Sequence, residues 1–229
     1  MTKIEAPGIN TTYCTQSDTD LYQLAQFFID AFPVMKIAEQ RLALVLYSLL
    51  SEGEAVTFEQ LSDRAGMPLA DAKTMLQYWP GVLYDENHRI IGFWGIVVSE
   101  TNHHFEVKGK TVYTWCAWDS LFIPELLNTT AHITSHCAFS GDEIKLTISP
   151  RGIDCFQPDQ VMVSFLIPDE VGLKDNITAS FCHFVFFFRS REAGEHWVAE
   201  HPGAFLLSLD EAFSVGRKMN AVRYNLTLN

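Results

Sequence analysis

In Phe105-Glu-Val-Lys-Gly-Lys-Thr-Val-Tyr-Thr-Trp-Cys-Ala-Trp-Asp119 the spacing of apolar residues changes partway along. Up to Trp115 apolar and polar side chains alternate on both sides of Gly109, which predicts two strands, Phe105–Lys108 and Lys110–Trp115, joined at a glycine turn. From Cys116 the pattern becomes helical, with a break expected at Pro124 and an end near Asn128. This is where a helical N-terminal part gives way to a sheet.

Upstream, apolar residues recur at helical spacing from Leu21 to Phe32 and from Lys36 to Ser51, where Leu42, Val45, Leu46, Leu49 and Leu50 form one stripe. Thr57-Phe-Glu-Gln60 has the form of a capping box, Gly66 supplies a stop, and Pro68 suits the start of a helix running to Trp79. Val82–Tyr84 and Arg89–Phe93 flank Asp85-Glu-Asn-His88 as a hairpin. Helix, helix, turn, helix and hairpin together read as a winged helix. Residues 1–17 are polar and without period, as in a loose arm.

Downstream, strands are expected at Ala131–Ala138, Ile144–Ser149, Val161–Leu166 and Ala179–Phe188. Two closing helices follow, Arg191–Glu200 capped by Ser190 and Leu209–Arg223 opened by Ser208-x-x-Glu211. The class is therefore α+β: a winged-helix-like helical domain over residues 1–98, then a mainly antiparallel sheet domain with flanking helices over 99–229.

The 229 residues are 48% hydrophobic, enough for a core without staples, and carry a formal charge of −12. Residues 1–100 hold six Lys/Arg against thirteen Asp/Glu, which disfavours nucleic acid and anionic membrane as partners of the winged helix. The helix that would read DNA, Pro68 to Trp79, offers one Lys, one Asp and no Arg. Its apolar residues suit packing against the C-terminal part. Five cysteines, none in a C-x-x-C pair, and the lack of an export signal point to a reducing cytoplasm. The Asn-x-Thr triplets at Asn10, Asn128, Asn176 and Asn225 are then coincidental. The longest apolar run, Phe184–Phe188, is too short to span a bilayer.

Candidate chemistry centres on Cys116, Asp119 and Cys182. Thiolates are nucleophiles and soft-metal ligands, and two from distant segments can converge on one thiophilic centre. Asp119, three positions after Cys116, would share its face of a helix. A helix-start position would lower the Cys116 pKa, whereas an apolar enclosure would raise that of Asp119 and let it relay a proton near pH 7. Each residue also has a plain structural role open to it. Either Cys can be a small core hydrophobe, and Asp119 can simply complement a helix dipole. Trp115 suits a pocket wall and Trp118 the core. His132 and His136, about 13 Å apart along a strand, cannot share a metal.

Tyr113-Thr-Trp-Cys-Ala-Trp-Asp119, Ser135-His-Cys-Ala-Phe-Ser-Gly141, Ser149-Pro150, Ser180-Phe-Cys182 with Phe186-Phe187, and Asp210-Glu-Ala-Phe213 resemble, in order and spacing, the bacterial organomercurial (alkylmercury) lyases. The resemblance spans roughly Val82 to Ala221. It implies protonolysis of carbon–mercury bonds to a hydrocarbon and Hg(II), as part of mercury detoxification. Cys116 and Cys182 would be the catalytic cysteines and Asp119 the proton carrier, the same three residues holding product Hg(II). It also implies no organic cofactor and no resident metal, release of Hg(II) to solution thiols or a mercuric reductase, a structural role for Cys137, and an N-terminal helical region covering the site. Some members have a second Cys after the later catalytic one, where this chain has His183. Cys14 and Cys155 match no motif. Two other readings stand beside this one. The first is a winged-helix metal-sensing regulator with cysteine ligands. The second is a structural zinc protein using Cys116, Cys137, Cys182 and a His, although separations of 21 and 45 residues fit no ordinary zinc finger.

Overall fold

The computed structural model describes residues 18–31, 34–167 and 177–228. The arm expected over residues 1–17, with Cys14 and Asn10, lies outside the described residues, as does Asn176.

The helical segment follows its sequence signals closely. Helices α1 (Asp18–Asp30) and α2 (Ile37–Leu50) precede α3 (Phe58–Ala65) and α4 (Leu69–Gln77). At the start of α3 the Thr57 hydroxyl accepts from the Gln60 amide while the Gln60 side chain accepts from the Thr57 amide. This reciprocal pair satisfies two N–H groups that the helix itself leaves without partners. Gly66 closes α3 in the left-handed region (φ 61°), where a side chain would be strained. Val56 bridges to Ile90 through paired amide bonds of 2.8 and 2.7 Å, tying the helices to the wing.

The wing is longer than expected. Strands β1 (Val82–Tyr84) and β2 (Ile90–Phe93) are followed by a short β3 (Ile96–Val97) across the two-residue turn Trp94-Gly95. Strand β3 pairs directly with β5 (Lys110–Thr114), itself hairpinned to β4 (His104–Val107), and β6 (Ala131–His136), β7 (Glu143–Ser149) and β8 (Gly152–Gln157) complete an antiparallel eight-stranded sheet in the order β1-β2-β3-β5-β4-β6-β7-β8. The wing and the C-terminal strands thus share one ladder across residue 98. A smaller antiparallel sheet, order β10-β9-β11, is made by β9 (Met162–Leu166), β10 (Phe187–Phe188) and β11 (Ala204–Ser208).

The other helices are α5 (Asp119–Leu126), α6 (Ile177–Ser180), α7 (Arg191–Ala199) and α8 (Leu209–Arg223). Ser190 and Ser208 cap α7 and α8 as their sequences require. Pro124 lies inside α5 without ending it, because so short a helix loses only one bond to the missing N–H. Helix α8 clamps α5: the Trp118 indole donates to the Ala212 carbonyl (2.9 Å), and the Asn220 amide donates to the Phe122 carbonyl (3.1 Å) and to the Glu125 carboxylate (2.9 Å).

Two expectations are corrected. Strands β3, β8 and β11 were not anticipated, since each is short, edge-like or turn-flanked. The strand expected over Ala179–Phe188 is instead α6, a 3₁₀ turn at Cys182–Phe184 and the two-residue β10. Phe and Val in that run favour a strand locally, but their rings fill the core from several directions, and tertiary packing overrides the propensity.

Candidate active site

Cys116 sits at the end of β5, where the chain turns into α5. The Thr114 hydroxyl donates to the Cys116 carbonyl (3.0 Å), and the Ala117 amide donates to the Val185 carbonyl (3.2 Å), so this turn is bonded to the turn that carries Cys182. The Cys116 amide donates to the Asp119 carboxylate at 2.9 Å, and the Asp119 amide is directed at the Cys116 sulfur. Cysteine and aspartate therefore reproduce a capping box, with sulfur in place of the usual hydroxyl. The i+3 spacing read from the sequence is what this geometry requires, although α5 proper begins only at Asp119.

Cys182 arrives from the 3₁₀ turn, held by Ser164 at the middle of β9. The fully buried Ser164 hydroxyl donates to the Phe184 carbonyl (2.8 Å) and accepts from the Phe186 amide (2.9 Å). As a result Cys116 Sγ, Cys182 Sγ and an Asp119 carboxylate oxygen all lie within 4.8 Å of one another, every one of them buried. Among the described residues this is the cluster of His, Cys, Asp and Glu with the spacing of a metal-binding group. All three residues singled out in the sequence are brought together.

Burial sets the electrostatics. It pushes the Cys116 thiol well above its ordinary range, reinforced by the hydrogen bond that this thiol donates to Cys182 and by the Asp119 charge. The depressed pKa expected from a helix-start position is not found, because the Asp119 amide pulls downward too weakly to offset complete desolvation. For Cys182 the hydrogen bond from Cys116 lowers the pKa, but burial and the Asp119 charge outweigh it and the net shift is upward. Desolvation raises Asp119 to about 7, against the lowering effect of its bonds from Cys116. At neutral pH the site thus holds protonated thiols beside a carboxyl group close to its own midpoint.

A small cavity of about 20 Å³ opens onto this group, walled by Asp119, Cys182, Trp94, Trp115, Phe28 and Phe181 among others. That is room for roughly one water-sized group. Trp118 is 3% exposed and also contributes to the wall, so its core role and its place beside the site coincide. Gly95 (φ 98°) lies directly beneath Asp119: a Cβ there would stand 2.6 Å from the carboxylate. Only glycine permits that approach.

The remaining candidates fall elsewhere. Cys137 is buried, with its sulfur accepting the Arg189 amide (3.3 Å), and it is not part of the cluster. Cys155 is exposed. His132 and His136 are exposed on β6, and His183, on the 3₁₀ turn and not on a strand, is exposed with its ring edge-on to Phe184. Ser164, Gly95 and Phe28 were missed in the sequence. A lone serine within Val161-Met-Val-Ser-Phe-Leu166 was the available signal for the first, and Trp-Gly between two apolar pairs for the second.

Comparison with known proteins points to one family. The sequence profile of alkylmercury lyase matches residues 97–221, and that of the helix-turn-helix domain of alkylmercury lyase matches residues 35–94. The chain belongs to the alkylmercury lyase family. It is similar to the alkylmercury lyase of Bacillus cereus, with 38% identity over 174 residues, covering 76% of this chain and 78% of that one. The Streptomyces lividans alkylmercury lyase is 36% identical over 204 residues, covering 88% and 93%. That of Pseudomonas putida is 39% identical over 175 residues, covering 76% and 81%. The crystal structure of the mercury-bound form of MerB2 shares the fold of this lyase, with a TM-score of 0.70 and 22% identity over 90% of this chain and 99% of that chain. Among the described residues of the lyase, no helix is long and apolar enough to cross a membrane.

Proposed function

We propose that this lyase cleaves the carbon–mercury bond of organomercurials by protonolysis, with Cys116 and Cys182 as mercury ligands and Asp119 as proton carrier. The observation that carries this reading is the buried group of two sulfurs and one carboxylate within 4.8 Å. The reacting groups all belong to the C-terminal part, and the N-terminal part covers them through Phe28, Trp94 and Gly95.

Cys182 shares the cavity wall with Asp119, which supports it as the residue of the first step. Its thiol loses its proton to the departing X⁻ as sulfur binds mercury, so that Cys182–SH and R–Hg–X become Cys182–S–Hg–R and HX. Cys116 then passes its proton to the Asp119 carboxylate and adds to mercury as a second thiolate, enriching the carbon in electron density and weakening the Hg–C bond. The Asp119 carboxylic acid delivers its proton to that carbon as the bond breaks. The products are R–H and Hg(II) held on two sulfurs, from which two solution thiols or a reductase dithiol withdraw it. No organic cofactor and no resident metal enters these steps. A carboxyl with a pKa of about 7 suits the role, because it both accepts and returns a proton near neutral pH.

The test is methane release from methylmercury under excess thiol, by the parent and by Cys116→Ala and Cys182→Ala. Each single variant should melt as a folded protein yet lose turnover, and the double variant should be scarcely worse, since the thiols act as a unit. Near-parental release by either single variant would remove the two-thiol mechanism.

A further inference from the structure

A second cavity, of about 260 Å³, lies between α2, α4, the wing and the end of α8. Its lining is mostly apolar, including Met35, Met75, Trp79 and Phe93, with Arg223 on one side. Val34 and Tyr78, 94% and 75% exposed, also line it, so it opens to solvent. Trp94 lines both this outer cavity and the small one at Cys182 and Asp119, and is thus the partition between them. Its indole N–H donates to the Pro80 carbonyl (2.6 Å), and the Arg223 guanidinium lies 3.9 Å from the ring centroid.

The backbone at Trp94 is unusual. It occupies the left-handed region (φ 41°) at the first position of a two-residue hairpin turn, where Asn, Asp or Gly is the ordinary choice. A bulky side chain there is an outlier, and such outliers gather at functional sites. The volumes say what the ring separates. A cavity of 20 Å³ takes a group no larger than about a methyl, whereas a cavity that binds benzene measures on the order of 150 Å³. The outer cavity exceeds that size and the inner one falls far short.

Resting on the lyase reading above, we propose that the outer cavity receives the organic group of bulky organomercurials, and that Trp94 is the specificity-determining residue that admits or excludes it. Small alkyl groups are accommodated at the inner site. An aryl group reaches the sulfurs only with its ring seated in the outer cavity, past a displaced Trp94 indole.

The experiment compares kcat/KM for phenylmercury and methylmercury in the parent, in Trp94→Gly and in Thr74→Trp. Glycine meets the turn's positive φ without strain and removes the partition, so the phenyl-to-methyl ratio should rise by about tenfold or more, the scale on which pocket fit separates substrates. Thr74 is an exposed α4 residue lining the outer cavity, and an indole there narrows that cavity at little cost to folding. The ratio should then fall by about tenfold. If Trp94→Gly does not fold, Thr74→Trp decides alone. Ratios within about twofold of the parent in the folded variants, with methylmercury cleaved by the parent, overturn the role of Trp94 and leave the lyase site standing. A parent that cleaves neither substrate overturns both readings.

Discussion

Asp119, the proton carrier proposed above, works against stability through its own burial. Its carboxyl is neutral in the fold up to a pKa of about 7, against 3.8 for the free group. The native state therefore binds a proton more tightly than the unfolded chain, and stability must fall as pH rises from about 4 to about 7. Below that window burial of the neutral acid is unopposed. Above it the loss is complete, on the order of 4 kcal/mol at about 1.4 kcal/mol per pH unit. Asp119→Asn keeps an acceptor for the Cys116 amide but cannot ionise. Melts between pH 4 and 8 should show the parent losing stability while the variant does not, leaving the variant the more stable at pH 8. Its turnover should be ~10² to 10⁴ lower, the usual worth of a positioned proton donor. A variant with parental rates would reduce Asp119 to a capping residue.

At the scale of elements, the site is the meeting of two turns, and Ser164 is what locks the second to the sheet. Its hydroxyl satisfies a carbonyl and an amide on opposite sides of Val185, whose own carbonyl is bonded to Ala117 beside Cys116. Removing the hydroxyl leaves two backbone groups without that partner at a position fully closed to water. Ser164→Ala should cost ~1 to 3 kcal/mol by denaturant unfolding. Because Cys182 is held by this turn, kcat should drop while the pH profile set by Asp119 stays in place. Ser164→Cys, which restores a weak donor and acceptor, should recover part of the loss. If Ser164→Ala destabilises without touching kcat, the lock is structural only.

Across the whole molecule, the helical unit reaches the site through Phe28 of α1. This ring is 1% exposed and packs on Trp118 (4.9 Å between centroids) and Phe181 (4.8 Å), both of which wall the inner cavity. Phe28→Ala should destabilise by ~3 to 5 kcal/mol, as large-to-small core changes do, and should speed modification of Cys182 by a thiol reagent in the folded protein. Unchanged thiol accessibility would mean that α1 does not cover the site. Much of this architecture was legible beforehand. The caps at Thr57, Ser190 and Ser208 are local hydrogen-bond chemistry, the stripe on α2 and the alternation around Gly109 are local periodicity, and the i+3 spacing of Cys116 and Asp119 places both on one turn wherever that turn lies. What was read wrongly depends on distant partners. The Ala179–Phe188 run has strand composition but becomes a 3₁₀ turn, because Ser164 and Ala117 supply the backbone partners that a neighbouring strand would otherwise provide. The helix-start argument for a lowered Cys116 pKa was sound locally but failed, since complete desolvation requires partners distant in sequence, Cys182 among them, to close over the sulfur. Residue types and short spacings therefore determined which groups are the candidates that the fold brings together. Burial, which only the closed tertiary structure creates, decided their protonation and the size of the space in which they act.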